Sequence, residues 1–197
     1  MNVFIFHGTG GHSEENWFPW LKKELEKEDI KVFVPQFPNA DKPKLSEWLD
    51  TLKDYQQYIN EDTILIGHSL GGIFLLRVLE RLEKPVKAAF FVASSIGIKP
   101  LLNYMGDYNF SSGFDFNWEK IRKMAKRFIV YHSDNDPYVS LKNGEELAKR
   151  LGVELTFIPN AGHFNTKSGY IKFQELLERV KSVLKSEIQL IPHDSIQ

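Results

Sequence analysis

The chain has no cysteine. Disulfides, thiolate nucleophiles and cysteine-ligated zinc are therefore excluded. It also lacks a charge of one sign. Lysine and arginine number 25 against 26 aspartates and glutamates, a net charge of -1. A nucleic-acid or anionic-membrane surface needs a basic patch, so neither partner is expected. No apolar run approaches the roughly 20 residues that cross a bilayer. The first apolar run starts at Asn2, and no charged leader fits ahead of it. The expectation is a soluble cytoplasmic protein. His-x-His and H-E-x-x-H spacings are missing, as are the Walker loop and G-x-G-x-x-G, so neither a metal nor a nucleotide cofactor is expected.

What the chain does have suits one domain over residues 1–197, with 42% apolar residues to build its core. Short, nearly continuous apolar runs recur at Val3–Phe6, Val32–Val34, Ile64–Ile66, Ala88–Val92, Phe128–Tyr131 and Glu154–Ile158. Runs of that length and composition predict parallel strands buried on both faces. Amphipathic stretches alternate with them: 15–28, 44–59, 74–82, 140–151 and 170–184. The alternation predicts an α/β fold, a six-stranded, mostly parallel sheet with helices on both faces. Gly97–Trp118 breaks the pattern. It is too long for an ordinary loop, and reads either as a lid or binding loop or as an irregular surface excursion. The tail after Ser186 reads as a docked edge segment or a frayed end.

The most informative stretch is "TILIGHSLGGIF", Thr63–Phe74. It enters as a strand and leaves as a helix, expected over Ile73–Leu82. Gly67-His68-Ser69-Leu70-Gly71 between them fits G-x-S-x-G, the nucleophile elbow. A serine at such a turn is held in a strained backbone with its hydroxyl exposed. Residues two before and two after come too close to carry a Cβ, which glycine avoids. Ser69 is the candidate nucleophile.

A serine needs a base and the base needs an orienting acid, in the chain order Ser, acid, His. "HSDNDPYVS" follows the fifth run and supplies Asp136; "PNAGHFN" follows the sixth and supplies His163. Both sit at carboxyl ends of strands, the edge where open α/β sheets place their sites. Asp134 is the neighbouring acid. It reads as a turn residue bonding its own backbone, whereas Pro137 restricts Asp136 to an extended backbone. His7, His12, His68, His132 and His193 compete for the base role. His7 and His68 read as packing residues, and His132 as a support at a strand end. The N–H groups of Leu70 and, from the "HGTGG" loop, of Thr9 are the expected oxyanion donors. Trp17, Phe18 and the aromatics of Tyr104–Phe116 read either as walls of an apolar acyl pocket or as core.

On "HGTGGHSEENWFPWLKKELE", "VPQFPNADKPKLSEWLDTL", "ILIGHSLGG", "SDNDPYVS" and "AGHFN" the chain resembles the α/β-hydrolases. Within them it is similar to the small serine hydrolases related to retinoblastoma-binding protein nine. The resemblance implies a compact fold that lacks the first two strands of larger relatives and has a minimal cap. It implies a carboxylesterase or related serine hydrolase acting on a small-molecule ester, less readily a thioester or amide, with no cofactor. A protein partner is also possible on that resemblance, and a binding module with a vestigial triad is the alternative; a perhydrolase is a third.

Overall fold

The computed structural model describes residues 1–98, 110 and 115–186. Six strands form one sheet: β1 Asn2–Phe6, β2 Lys31–Phe33, β3 Thr63–His68, β4 Ala88–Val92, β5 Phe128–His132 and β6 Leu155–Phe157. Their order is β2-β1-β3-β4-β5-β6 and every pairing is parallel. The described residues also form six α-helices: α1 Phe18–Glu26, α2 Leu45–Lys53, α3 Leu70–Leu79, α4 Trp118–Lys123, α5 Leu141–Leu151 and α6 Gln174–Lys185. None is long and apolar enough to cross a membrane.

Side chains alternate across each strand, and the apolar runs serve both faces. Phe4, Phe6, Leu65, Phe91 and Val130 point to one side, against Trp48 of α2, Phe74 of α3 and Leu147 of α5. Val3, Ile5, Ile64, Ile66, Phe90 and Tyr131 point to the other, against Leu21 and Leu25 of α1 and Leu176 and Val180 of α6. β3 is buried at all six positions, as a central strand should be.

The edges depart from expectation. β2 and β6 have one neighbour each and only three residues. In β6, Phe157 is exposed. α3 begins at Leu70, directly after the serine, three residues before the expected start. The turn is one residue wide, and the helix needs no lead-in. The helix expected from residue 170 begins at Gln174. Ahead of it, Asn165 caps a short 3-10 turn, Thr166–Ser168, by accepting from the Ser168 N–H, and Tyr170 and Phe173 pack on Phe164. α4 had no sequence expectation.

The stretch 97–118 lies mostly outside the described residues, as do the tail from 187 and His193. Its flanks are held by buried polar groups. Asn143 of α5, fully buried, accepts from the N–H groups of Ile96 and Ile98 at 3.2 and 2.9 Å. Arg77 of α3 donates to the carbonyls of Phe110 and Asp115 at 3.0 and 3.1 Å and pairs with Glu80 at 2.8 Å.

Candidate active site

The strand order reverses between β1 and β3, because the chain first adds β2 on one side of β1 and then β3 on the other. Loops leaving β1 and β3 diverge there, which opens a crevice at the carboxyl edge of the sheet. The loop after β1 carries Gly8 and Thr9; the turn after β3 is Ser69.

Ser69 has φ 56° and ψ -121°, a left-handed backbone that a residue with a Cβ rarely adopts. Its N–H donates to Val92 O at 2.9 Å, pinning the turn to β4. The flanking glycines allow it. A Cβ on Gly67 would come 2.5 Å from Gly71 O, and one on Gly71 would collide with the carbonyl oxygen of Phe6. These neighbours are backbone, which cannot swing aside. Gly71→Val is therefore expected to destabilise the protein by about 1–3 kcal/mol or more and to remove activity. A denaturation curve and labelling by a fluorophosphonate probe check this; an unchanged midpoint with full labelling would show that the turn tolerates a side chain.

The loop after β5 holds Asp136. One carboxylate oxygen, Oδ1, accepts from the N–H groups of Tyr138 and Val139 at 2.8 and 3.1 Å. Oδ2 lies 2.7 Å from His163 Nδ1 in the loop after β6. The Asp136 side chain is 0% exposed and that of His163 8%. A carboxylate accepts, so Nδ1 carries a proton, and in the neutral tautomer that this selects, Nε2 is the bare nitrogen. Ser69 and His163 open onto one cavity of about 470 Å³, together with Thr9, Leu70, Ile73, Tyr138 and Val139. The main-chain N–H groups of Thr9 and Leu70 donate to no acceptor among the described residues. For Leu70 this follows from its place at the first position of α3. The Ser69 hydroxyl makes no hydrogen bond among the described residues either; such contacts often tighten only once substrate is bound.

Three further side chains tie the acid loop to the base loop. Ser133 Oγ donates to Gly162 O at 2.5 Å, Asp134 Oδ1 accepts from the Asn160 N–H at 2.8 Å, and Asn135 Oδ1 accepts from the Gly162 N–H at 2.7 Å. Asp134 thus bonds across to another loop, rather than to its own backbone as its sequence suggested. Partners 26 to 29 residues away leave no local signature.

Buried histidines stand at the carboxyl ends of three strands beneath the site: His7 directly after β1, His68 closing β3 and His132 closing β5. His7 Nδ1 donates to Gly8 O at 2.9 Å and Nε2 accepts from the Phe37 N–H at 3.1 Å, steadying the Thr9 loop. His68 Nε2 donates to the carbonyl of His163 at 2.8 Å. His132 Nε2 donates to Val139 O at 3.0 Å, at the foot of the Asp136 loop. Burial lowers the pKa of all three, that of His68 to about 3. A proton added to Nδ1 of His68 or His132 would find no partner among the described residues.

The sign of the pH effect follows. An unfolded chain protonates its imidazoles near pH ~6.5. Below that value the unfolded state takes up protons that the folded rings refuse, so stability is full above about pH 6.5 and falls as pH drops. The slope is about 1.4 kcal/mol per pH unit for each such ring, and for His68 it persists to about pH 3. Urea midpoints at pH 7.5 and pH 5 check this. The midpoint should be clearly lower at pH 5, and the difference smaller in His68→Gln. A midpoint independent of pH would show that the rings protonate in the folded protein.

Trp17 and Phe18 do not line the cavity. Both are 0% exposed in the core beneath α1, and Trp17 Nε1 donates to Phe164 O at 3.0 Å. The pocket reading of these two is corrected. Their rings sit edge-on to His68 instead, so they support the elbow from below. Tyr104, Tyr108 and Phe114 lie outside the described residues, whereas Phe110 and Phe116 are core. The cavity walls that sequence reasoning missed are Glu15, Asn16, Ser95, Tyr138, Asn165 and Lys167. Tyr138 and Asn165 each lie two residues from a triad candidate, the one signal that pointed to them.

A family profile described as serine hydrolase matches residues 3–182. Among curated proteins, the chain is 32% identical over 187 residues to "Putative hydrolase YdeN" of Bacillus subtilis, covering 94% of this chain and 97% of that one. It is 29% identical over 183 residues to "Serine hydrolase RBBP9" of Rattus norvegicus, covering 90% and 91%. "Putative esterase/lipase 2" of Mycoplasma genitalium is 31% identical over 147 residues, 66% of this chain and 54% of that protein. The crystal structure of the ydeN gene product from B. subtilis superposes with a TM-score of 0.86 at 31% identity, over 93% of this chain and 98% of that one. With its all-parallel α/β-hydrolase sheet and its Gly-His-Ser-Leu-Gly turn, the chain belongs to the serine hydrolase family.

Proposed function

We propose that the protein is a carboxylesterase working through Ser69, His163 and Asp136. The observation that carries this reading is the 2.7 Å contact between His163 Nδ1 and Asp136 Oδ2. It leaves a bare Nε2 at a cavity shared with a strained, glycine-flanked serine. The M. genitalium relative, whose name includes esterase, adds support. Ser69 Oγ attacks the ester carbonyl as His163 Nε2 takes its proton. The oxyanion accepts from the N–H groups of Leu70 and Thr9, both free and preorganised for charge that develops only in the transition state. The imidazolium gives its proton to the departing alcohol. Asp136 holds the tautomer and stabilises the charged ring while staying ionised. Water, activated by the same histidine, then hydrolyses the acyl-enzyme. The substrate is a small-molecule ester.

A fluorophosphonate probe and a p-nitrophenyl ester series of increasing acyl length test this. Stoichiometric labelling at Ser69 with measurable ester turnover is expected. A folded protein that neither labels nor turns over any ester would overturn it and favour a binding role for the fold.

A further inference from the structure

We propose that Glu15 selects esters carrying a positively charged nitrogen near the scissile carbonyl. The inference rests on the ester-hydrolase reading and deepens it by naming a substrate class. Glu15 lies in the loop between β1 and α1, the loop that also presents Thr9. The residue lines the cavity shared by Ser69 and His163. Gly11 makes room for it: a Cβ there would come 2.5 Å from Glu15 Oε1. The carboxylate therefore lies folded back against the loop and half-buried, not extended into solvent.

Its partners are few. The His12 backbone lies close enough to favour its charged form, and no lysine or arginine among the described residues forms an ion pair with it. Burial, the largest effect, pushes its pKa up, while the neighbouring His12 and His163 rings pull it down. A carboxylate taken partly out of water and left without a cation keeps an uncompensated desolvation cost. A cationic ligand entering the cavity recovers it.

The other charges around the cavity do not cancel this. Lys167 also lines it but is exposed, so water and salt screen its ammonium more than they screen a half-buried group. Asp41 places its carboxylate near Gly10, 3.3 Å from where a Cβ would stand, and adds negative potential to the same loop. His163 already faces the Asp136 carboxylate at 2.7 Å, which offsets any charge on its ring. The apolar Leu70, Ile73 and Val139 complete the lining and suit the methyl or methylene shell of an alkylammonium.

The test uses carbon-for-nitrogen isosteres, which hold shape constant and change only charge. Acetylcholine is compared with 3,3-dimethylbutyl acetate, which places the charge on the alcohol limb. The p-nitrophenyl ester of 4-(trimethylammonio)butanoate is compared with that of 5,5-dimethylhexanoate, which places it on the acyl limb. The readout is the ratio of kcat/KM, cationic over neutral, at about pH 8, where an ordinary imidazole is neutral. Wild type is expected to favour the cation about tenfold on at least one limb, an effect of the size expected for a partly screened charge pair. In Glu15→Gln the ratio on that limb should fall to about one. Because the ratio is taken within each variant, a general loss of activity cancels. A wild-type ratio of one or less on both limbs, or a preference that survives Glu15→Gln, overturns the proposal while neutral-ester turnover leaves the hydrolase reading standing. Absence of turnover with all four esters, together with absence of fluorophosphonate labelling, removes both.

Discussion

Ser69→Ala is expected to abolish fluorophosphonate labelling and to lower kcat for a p-nitrophenyl ester by about a millionfold, the scale seen when the nucleophile of a serine protease is removed. The substitution acts locally. The hydroxyl has no structural partner among the described residues, so its loss leaves the packing unchanged. The backbone at this position is strained whatever side chain carries a Cβ. A companion variant separates chemistry from strain. Ser69→Gly should be equally inactive yet more stable than wild type, by about 1 kcal/mol, because glycine accepts a positive φ without penalty. Thermal melts and active-site titration read the two effects independently. A Ser69→Ala protein that labels like wild type would place the nucleophile elsewhere.

The second large effect is at the acid. Asp136→Asn should cost roughly four orders of magnitude in kcat, as the matching change does in the serine-protease template. Its Oδ1 can still accept from Tyr138 and Val139, so the loop keeps its shape. The amide then faces His163 Nδ1 where an acceptor stood, and the ring is driven to the tautomer whose Nε2 holds a proton and cannot act as base. Asp134→Asn is the control. Its Oδ1 accepts from the Asn160 N–H, an amide oxygen can do the same, and a loss of tenfold at most is expected by the same comparison. If Asp134→Asn were the inactive variant, the acid would be the wrong residue, while the serine and histidine roles would stand.

The comparison of Asp134 with Asp136 also shows where sequence reasoning runs out. The sheet was legible because both its faces are covered, so β1, β3, β4 and β5 appear as unbroken apolar runs. The elbow was legible because steric exclusion acts within five consecutive residues, Gly67 to Gly71. Asp136 and His163 were legible because each follows a strand and so lands on a known edge. Trp17 was not. An aromatic residue just before a helix can face core or cavity, and what decides it is Phe164, 147 residues away. Glu15, two residues earlier, faces the cavity, and nothing in the pattern "SEENWF" separates the two. Edge strands were placed within a residue or two, since a strand with one neighbour loses its ends first.

The tie between the acid and base loops bears on the time axis. Ser133, Asp134 and Asn135 clasp residues 160–162 in succession, so neither loop can open unless the other opens with it. Asn160 is exposed on the surface, yet its amide hydrogen is sequestered by Asp134. In deuterated water the Asn160 and Gly162 amides would exchange together, and as slowly as those of a strand. The histidine and its carboxylate would then spend their fluctuations as one body, and the millisecond adjustments that admit substrate and release product would fall to the opposite wall of the crevice.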